Sequence, residues 1–298
     1  MVSMTNEKCQ MIYGKSSVDI LTKSMTTRKT DKELAFLHEL FVATDWGERF
    51  VELIDEHFLL PKEGRALYVA SGTGGHAIAL QERSGEDLKF LCIDENEECL
   101  ELARAKAMVL KDGSEFRHGT VDRLALPDNS FDVVVGDGSL LHTERTRTML
   151  AEMTRVAAPG APVALVLPTF SSFGEFFSIY WEALHNCGLL DHESDVENLI
   201  STLPSVSTLE EMAEQSGLNE VQSWTRIEEF DYDSGEKFLS SPLISDFLMP
   251  IWLGTVLEDS YEQVAKEIGR LINDERHEAE FALSVKATLV VGRKALNQ

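Results

Sequence analysis

The sequence predicts an α/β protein built on a mostly parallel sheet with helices on both faces. Three observations predict it. Short apolar runs recur at residues 66–70, 90–93, 131–135 and 162–167, the third interrupted only by Asp132. Amphipathic stretches alternate with these runs, and strands buried on both faces read as continuous apolar segments. The first run opens at once into the turn Ala70-Ser71-Gly72-Thr73-Gly74-Gly75, as a tight strand-to-helix junction does.

Residues 1–30 are polar, rich in Ser, Thr and Lys, and read as an N-terminal extension. From Asp31 the pattern turns helical, with Leu34, Leu37, Leu40 and Phe41 sharing one face. A second helix runs from Trp46 to about Phe58, with Phe50, Leu53, Ile54 and Phe58 inward, and Pro61 closes it. The strand at 66–70 feeds a helix at 75–83. The strand at 90–93 ends at Asp94 and feeds a helix at 97–110 through Leu100, Ala103, Ala107 and Leu110. A short third strand covers 114–118 and a fourth 131–135. A helix at 144–157 stops at Pro159-Gly160, before a fifth strand at 162–167.

After Pro168 the rhythm changes. Residues 171–205 are aromatic-rich and helical, and 208–216 form a helix with Gly217 past its end. Residues 221–232 read as a long strand, 234–281 return to helix, and 285–291 close as a strand. The organisation is one domain over 31–298: a core at 64–170 and two helical cap insertions at 171–205 and 234–281.

Composition removes several function classes. The 298 residues are 43% hydrophobic, enough for a full core. The formal net charge of −24 repels phosphate backbones and anionic membranes, which argues against nucleic-acid and membrane partners. The acidic stretch at 191–233 reads as a solvated face. Cys9, Cys92, Cys99 and Cys187 show no metal-ligand spacing, so no metal site and a reduced, cytoplasmic protein are expected. No signal-peptide core and no spanning apolar stretch occur. Gly14-Lys15-Ser16 lacks the preceding strand and first glycine of a phosphate loop. Asp191-His192-Glu193-Ser194-Asp195 has ligand-type residues but no partner cluster.

The chemistry centres on the glycine turn. Such turns let a ligand approach the backbone at a helix N-terminus. About 20 residues later, Asp94 stands where a carboxylate can accept both hydroxyls of a ribose. Gly72-x-Gly74-x-x-Ala77 also satisfies the dinucleotide fingerprint, so a nicotinamide cofactor is a competing reading.

Four ordered motifs separate the two. Residues 67–74 resemble the first motif of class I S-adenosylmethionine-dependent methyltransferases. Ile93-Asp94-Glu95-Asn96 followed by Leu100-Glu101-Leu102-Ala103 resembles their second motif and helix. Leu126-Pro127-Asp128-Asn129-Ser130-Phe131-Asp132 is similar to the stretch before their fourth strand. Glu152-Met153-Thr154-Arg155-Val156 with Pro159-Gly160 resembles their E-x-x-R-V-x-x-P-G turn. The resemblance spans about residues 64–170 and is closest to the broad quinone-biosynthesis group. It implies a Rossmann-like seven-stranded sheet, mostly parallel with an antiparallel last strand. Residues 221–232 and 285–291 would supply the last two strands, where a dinucleotide dehydrogenase would continue with a second parallel half.

The resemblance also implies roles. Ala70, Ser71, Gly72, Thr73 and Gly74 would line the methionine part of S-adenosylmethionine. Asp94 would hold the ribose, with Glu95 beside it. Thr120 and Val121 would meet the adenine, where the family often has Asp, and Asp122 could substitute. Asp137 and Leu141 would line cofactor and substrate. Two positions depart from the family: Tyr68 replaces the acid of the first motif and Ala70 its first glycine. An alanine there fits if its φ is negative. His142, just past the fourth strand, is the candidate general base. His76, in the first turn of the next helix, is expected to take either a packing role or a place at the cofactor's edge. The aromatic runs at 170–181 and 247–253 read as core and as the roof of a small-molecule pocket. The expected function is methyl transfer to a small, partly apolar molecule. The alternatives are a catalytically silent binder or scaffold, motivated by Tyr68, Ala70 and Thr120, and an NAD-dependent oxidoreductase.

Overall fold

A computed structural model describes residues 29–254, 256–275 and 280–296. Nearly all of the expected N-terminal extension, with Cys9 and Gly14-Lys15-Ser16, lies outside them.

Seven strands form one sheet: β1 (Gly64–Val69), β2 (Leu88–Asp94), β3 (Glu115–His118), β4 (Val133–Asp137), β5 (Pro162–Pro168), β6 (Leu218–Tyr232) and β7 (Phe281–Lys294). Their order is β3-β2-β1-β4-β5-β7-β6. The first five pair in parallel, and β7 runs antiparallel to both β5 and β6. The first crossover lies between β3 and β4, so the C-terminal ends of β1 and β4 flank the point where strand order reverses. Open α/β sheets bind ligands at that crevice.

Alternation along the strands splits the core between two faces. Ala66, Tyr68, Phe90, Cys92, Val133 and Val135 face one side, with helices Glu48–His57, Gly75–Ser84 and Glu97–Leu110 packed on it. Leu67, Val69, Leu91, Ile93 and Val134 face the other, with helices Thr146–Val156 and Val206–Gln215. Helices Gly174–Asn186 and Glu258–Glu275 pack on each other beside the first face, and Phe176 stacks on Trp252 at 4.0 Å between ring centres. The aromatic run is therefore largely core: Phe173, Phe176, Phe177 and Tyr180 are buried, while Phe170 and Trp181 are not.

Two expectations are corrected. The N-terminal helix does not bury Leu40 and Phe41, which are 60% and 52% exposed. Asp31–Leu37 is α-helical, but His38–Gly47 winds as a π-helix, closed by the Glu48 N–H donating to Ala43 O. Ala35, Val42 and Trp46 form the buried edge instead, spaced seven and four residues apart, so the segment packs through the stripe next to the one that carries Leu34, Leu37 and Phe41.

The second correction concerns Ala70, whose φ is +57°, not negative. The chain must turn back at the end of β1, and the Ser71 N–H donates to Ile93 O at 3.1 Å across the strand pair. An alanine held left-handed costs about 1–2 kcal/mol. Ala70→Gly should therefore raise unfolding free energy by about 0.5–1 kcal/mol after the glycine's greater unfolded-state freedom is set against it. Urea melts of both proteins measure this, and a destabilised variant would contradict it.

Candidate functional site

The site begins at one carboxylate. Asp94 ends β2, and its Oδ2 accepts from the Gly72 N–H at 2.7 Å. Its Oδ1 accepts from the Asn96 N–H at 2.9 Å. Asn96 in turn caps helix Glu97–Leu110 by accepting from the Cys99 N–H at 3.1 Å. Burial raises the Asp94 pKa, and the backbone donors Asn96 and Gly72 oppose that rise. Gly72 and Gly74 have φ of +54° and +77°. A Cβ at Gly74 would stand 2.6 Å from Phe116 Cε1, so no side chain fits between the turn and β3.

Two adjoining clefts flank the turn. The larger, about 370 Å³, lies between the His38–Gly47 helix and the turn, with Tyr68, Ser71, Thr73 and His76 in its wall. The second, about 260 Å³, is walled by Asp94, Glu95, Val121, Leu141, His142 and Arg145. His38, Ala70, Gly72, Asp137, Ser139 and Leu140 line both. A continuous groove of this size is in the range of small-molecule and cofactor sites.

Most of the residues singled out in the sequence converge here. Asp137 ends β4, is raised in pKa by burial, and its Oδ1 accepts from the Ser139 N–H at 2.8 Å. Glu95 is clamped: Arg145 donates to both of its oxygens, and the Val121 N–H donates to Oε1 at 3.0 Å. The Arg145 hydrogen bonds hold its pKa down. The same guanidinium reaches Asp122 Oδ2 at 2.7 Å, so Asp122 is engaged by an ion pair. Thr120 is exposed, donates its hydroxyl to Arg123 O, and is absent from both cleft walls. His142 is 46% exposed, with Nδ1 at 3.9 Å from Glu144, at the border between the second cleft and a small apolar pocket.

Sequence reasoning missed three groups. His38 sits directly over the turn: a Cβ on Gly72 would meet its Cε1 at 2.9 Å. Burial pushes its pKa down to about 4, so it is neutral at pH 7, and its buried Nδ1 has no partner. His38 lies three residues after Ala35 and four before Val42, on the buried edge of the N-terminal helix, an edge the sequence reading did not choose. Arg145 reads as an ordinary helix-start arginine. The third is a chain of contacts behind Tyr68, whose hydroxyl is 2.9 Å from His76 Nδ1. His76 Nε2 is in turn 2.9 Å from Asp55 Oδ1. The E-x-x-R element serves the scaffold: Arg155 ties Glu152 and Asp128 to the carbonyls of Leu124 and Leu126.

Arg145→Met should release the Glu95 clamp and speed amide exchange at Val121 by about tenfold, one lost hydrogen bond to a charged group. Unchanged protection at Val121 in exchange experiments would show that the clamp does not hold this loop.

Among the described residues no helix is long and apolar enough to cross a membrane, and no cluster of metal-ligating side chains forms. Residues 66–160 match a family described as a methyltransferase domain. A demethylmenaquinone methyltransferase of Bacillus cereus is 33% identical over 188 residues, covering 59% of this chain and 77% of the relative. One from Bacillus licheniformis is 28% identical over 186 residues, with 59% and 78% covered. Among solved structures, the YcgJ protein of Bacillus subtilis is similar with a TM-score of 0.56 at 18% identity, covering 83% of this chain and 99% of that one. Phosphoethanolamine N-methyltransferase 2 of Haemonchus contortus, solved with S-adenosyl-L-methionine, gives 0.53 at 15% identity, covering 95% of this chain and 61% of that one. The solved structures share the fold, whose reversed β7 leaves no second parallel half for a dinucleotide. With the sequence relatives matched over most of their length, the chain belongs to the class I S-adenosylmethionine-dependent methyltransferases.

Proposed function

We propose that this enzyme methylates a small, partly apolar acceptor, neutral or cationic, held under its helical caps. The observation that carries the reading is a narrow apolar pocket of about 50 Å³ beside the clefts. Phe173, Phe177, Leu199, Leu203, Ile251 and Trp252 line it, and Ser139 and Leu140 join it to both clefts. Phe173, Phe177, Leu199 and Leu203 come from the first cap insertion and Ile251 and Trp252 from the second, which supports reading caps and sheet as one domain. The curated relatives are named for demethylmenaquinone, which favours an aromatic, quinone-like acceptor. The larger cleft is edged by Glu39, Glu48, Glu52, Asp55 and Asp137 against Lys106, a field that disfavours anionic acceptors. The described cysteines, Cys92, Cys99 and Cys187, are free thiols, in keeping with a reducing cytoplasm.

S-Adenosylmethionine supplies an electrophilic methyl group on a sulfonium. The residues present fit it: a buried carboxylate for the ribose, a glycine cradle, and an acidic groove for a cation. Asp94 would accept from the ribose hydroxyls, and Glu95 and Val121 would border the adenosine. Ala70, Ser71, Gly72, Thr73 and Gly74 would border the methionine part, with Asp137 at the junction. The chain's main work is positioning and exclusion of water. His142, on the border between apolar pocket and cleft, would take the acceptor's proton.

Methyl transfer from labelled cofactor should be found with neutral phenols or quinols and fall when a carboxylate is added to the same ring. Equal turnover of the anionic acceptors would overturn the electrostatic part of the reading. His142→Ala should lower kcat by about a hundredfold while cofactor affinity stays. Unchanged kcat on the best acceptor would remove His142 from the mechanism.

A further inference from the structure

Tyr68 stands where the family's first motif carries an acid, and its hydroxyl is not isolated. The contacts from Tyr68 Oη to His76 Nδ1 and from His76 Nε2 to Asp55 Oδ1 form a three-member chain from three elements: β1, helix Gly75–Ser84 and helix Glu48–His57. Tyr68, His76 and Asp55 all line the larger cleft, with Gly72 and Asp137. Hydrogen-bond polarity along the chain is fixed from its far end. Asp55 Oδ1 accepts from the Arg83 guanidinium as well, and an ionised carboxylate only accepts. Burial works against ionisation of Asp55, yet the hydrogen bonds from His76 and Arg83 hold its pKa down to about 2. His76 Nε2 must therefore carry a hydrogen. In the neutral ring Nδ1 is then an acceptor, so the Tyr68 O–H donates to it. Burial pushes the Tyr68 pKa well up, so the group remains a phenol. Its remaining lone pairs are free to accept.

We propose that Asp55 and His76 orient the Tyr68 hydroxyl as a hydrogen-bond acceptor for the α-ammonium of bound S-adenosylmethionine, in place of the carboxylate usual at this position. Tyr68 is the binding residue, and His76 and Asp55 are positioning residues. The inference rests on the cofactor lying across the glycine turn with its methionine part beside Gly72. The acceptor role depends on His76: without its Nδ1, nothing in the chain holds the phenolic hydrogen away from the cleft.

Calorimetry with two ligands separates these effects. S-Adenosylhomocysteine carries the α-ammonium, and 5′-methylthioadenosine lacks the amino-acid part altogether. Tyr68→Phe should weaken S-adenosylhomocysteine by about tenfold and leave methylthioadenosine unchanged. His76→Phe, which takes away the acceptor for the phenolic hydrogen, should lower the affinity of S-adenosylhomocysteine relative to methylthioadenosine, and adding it to Tyr68→Phe should lower that ratio no further. Equal weakening of both ligands in Tyr68→Phe, or an unchanged ratio in His76→Phe, would overturn the relay. Should Tyr68→Phe not fold, the ratio in His76→Phe decides alone. Failure of the unaltered protein to bind either ligand would instead overturn the placement of the cofactor.

Discussion

The site depends on the carboxylate of Asp94. It is buried at the end of β2, and backbone N–H groups from both Gly72 and Asn96 are aimed at it. One side chain thus fixes the glycine turn after β1 and the start of the helix after β2. The turn cannot relax toward β3, because Gly74 already lies against Phe116 and Ala103. The same geometry tolerates a left-handed alanine at position 70, since the strand pair and the carboxylate hold both ends of the turn. Burial raises the Asp94 pKa, so the backbone donors matter for keeping the charge that a ribose would meet.

Around that point the clefts are divided by function of position. The cleft beside Asp94 is bordered by a charged clamp in which Arg145 gathers Glu95 and Asp122. The larger cleft is bordered by the N-terminal helix, with His38 over Gly72 and edge-on to Phe247 of the second cap, 5.8 Å between ring centres. Ion pairs fasten that segment at both ends, Lys29 to Asp246 at 2.6 Å and Glu39 to Lys106 at 2.8 Å. They are partly exposed, so their energetic worth is modest, and their use is to set where His38 lies.

The central fold was legible because strands buried on two faces must be continuously apolar. The helix at 97–110 was legible from its apolar spacing, and Leu100, Ala103 and Ala107 are buried as that spacing expects, while Leu110 at its end is exposed. The reversed final strand came only through the resemblance. What could not be read was anything set by backbone winding or by distant packing. The N-terminal helix packs through Ala35, His38 and Val42 rather than through Leu37, Leu40 and Phe41, a choice between neighbouring stripes that distant packing makes. The φ of Ala70 follows from a hydrogen bond to Ile93, which sequence does not display. Thr120 was placed by motif position, but its hydroxyl is used by Arg123 O within its own turn. Tyr68 looked like a lost acid because Asp55 and His76 meet it only in three dimensions.

The most direct test of this account is calorimetric binding of S-adenosylhomocysteine to the enzyme and to its Asp94→Ala variant, with folding checked by circular dichroism. The account predicts that a folded variant binds at least about tenfold more weakly, since both the ribose acceptor and the anchor of the glycine turn are gone. Equal affinity in a folded variant would show that Asp94 is a loop anchor alone and that the cofactor lies elsewhere.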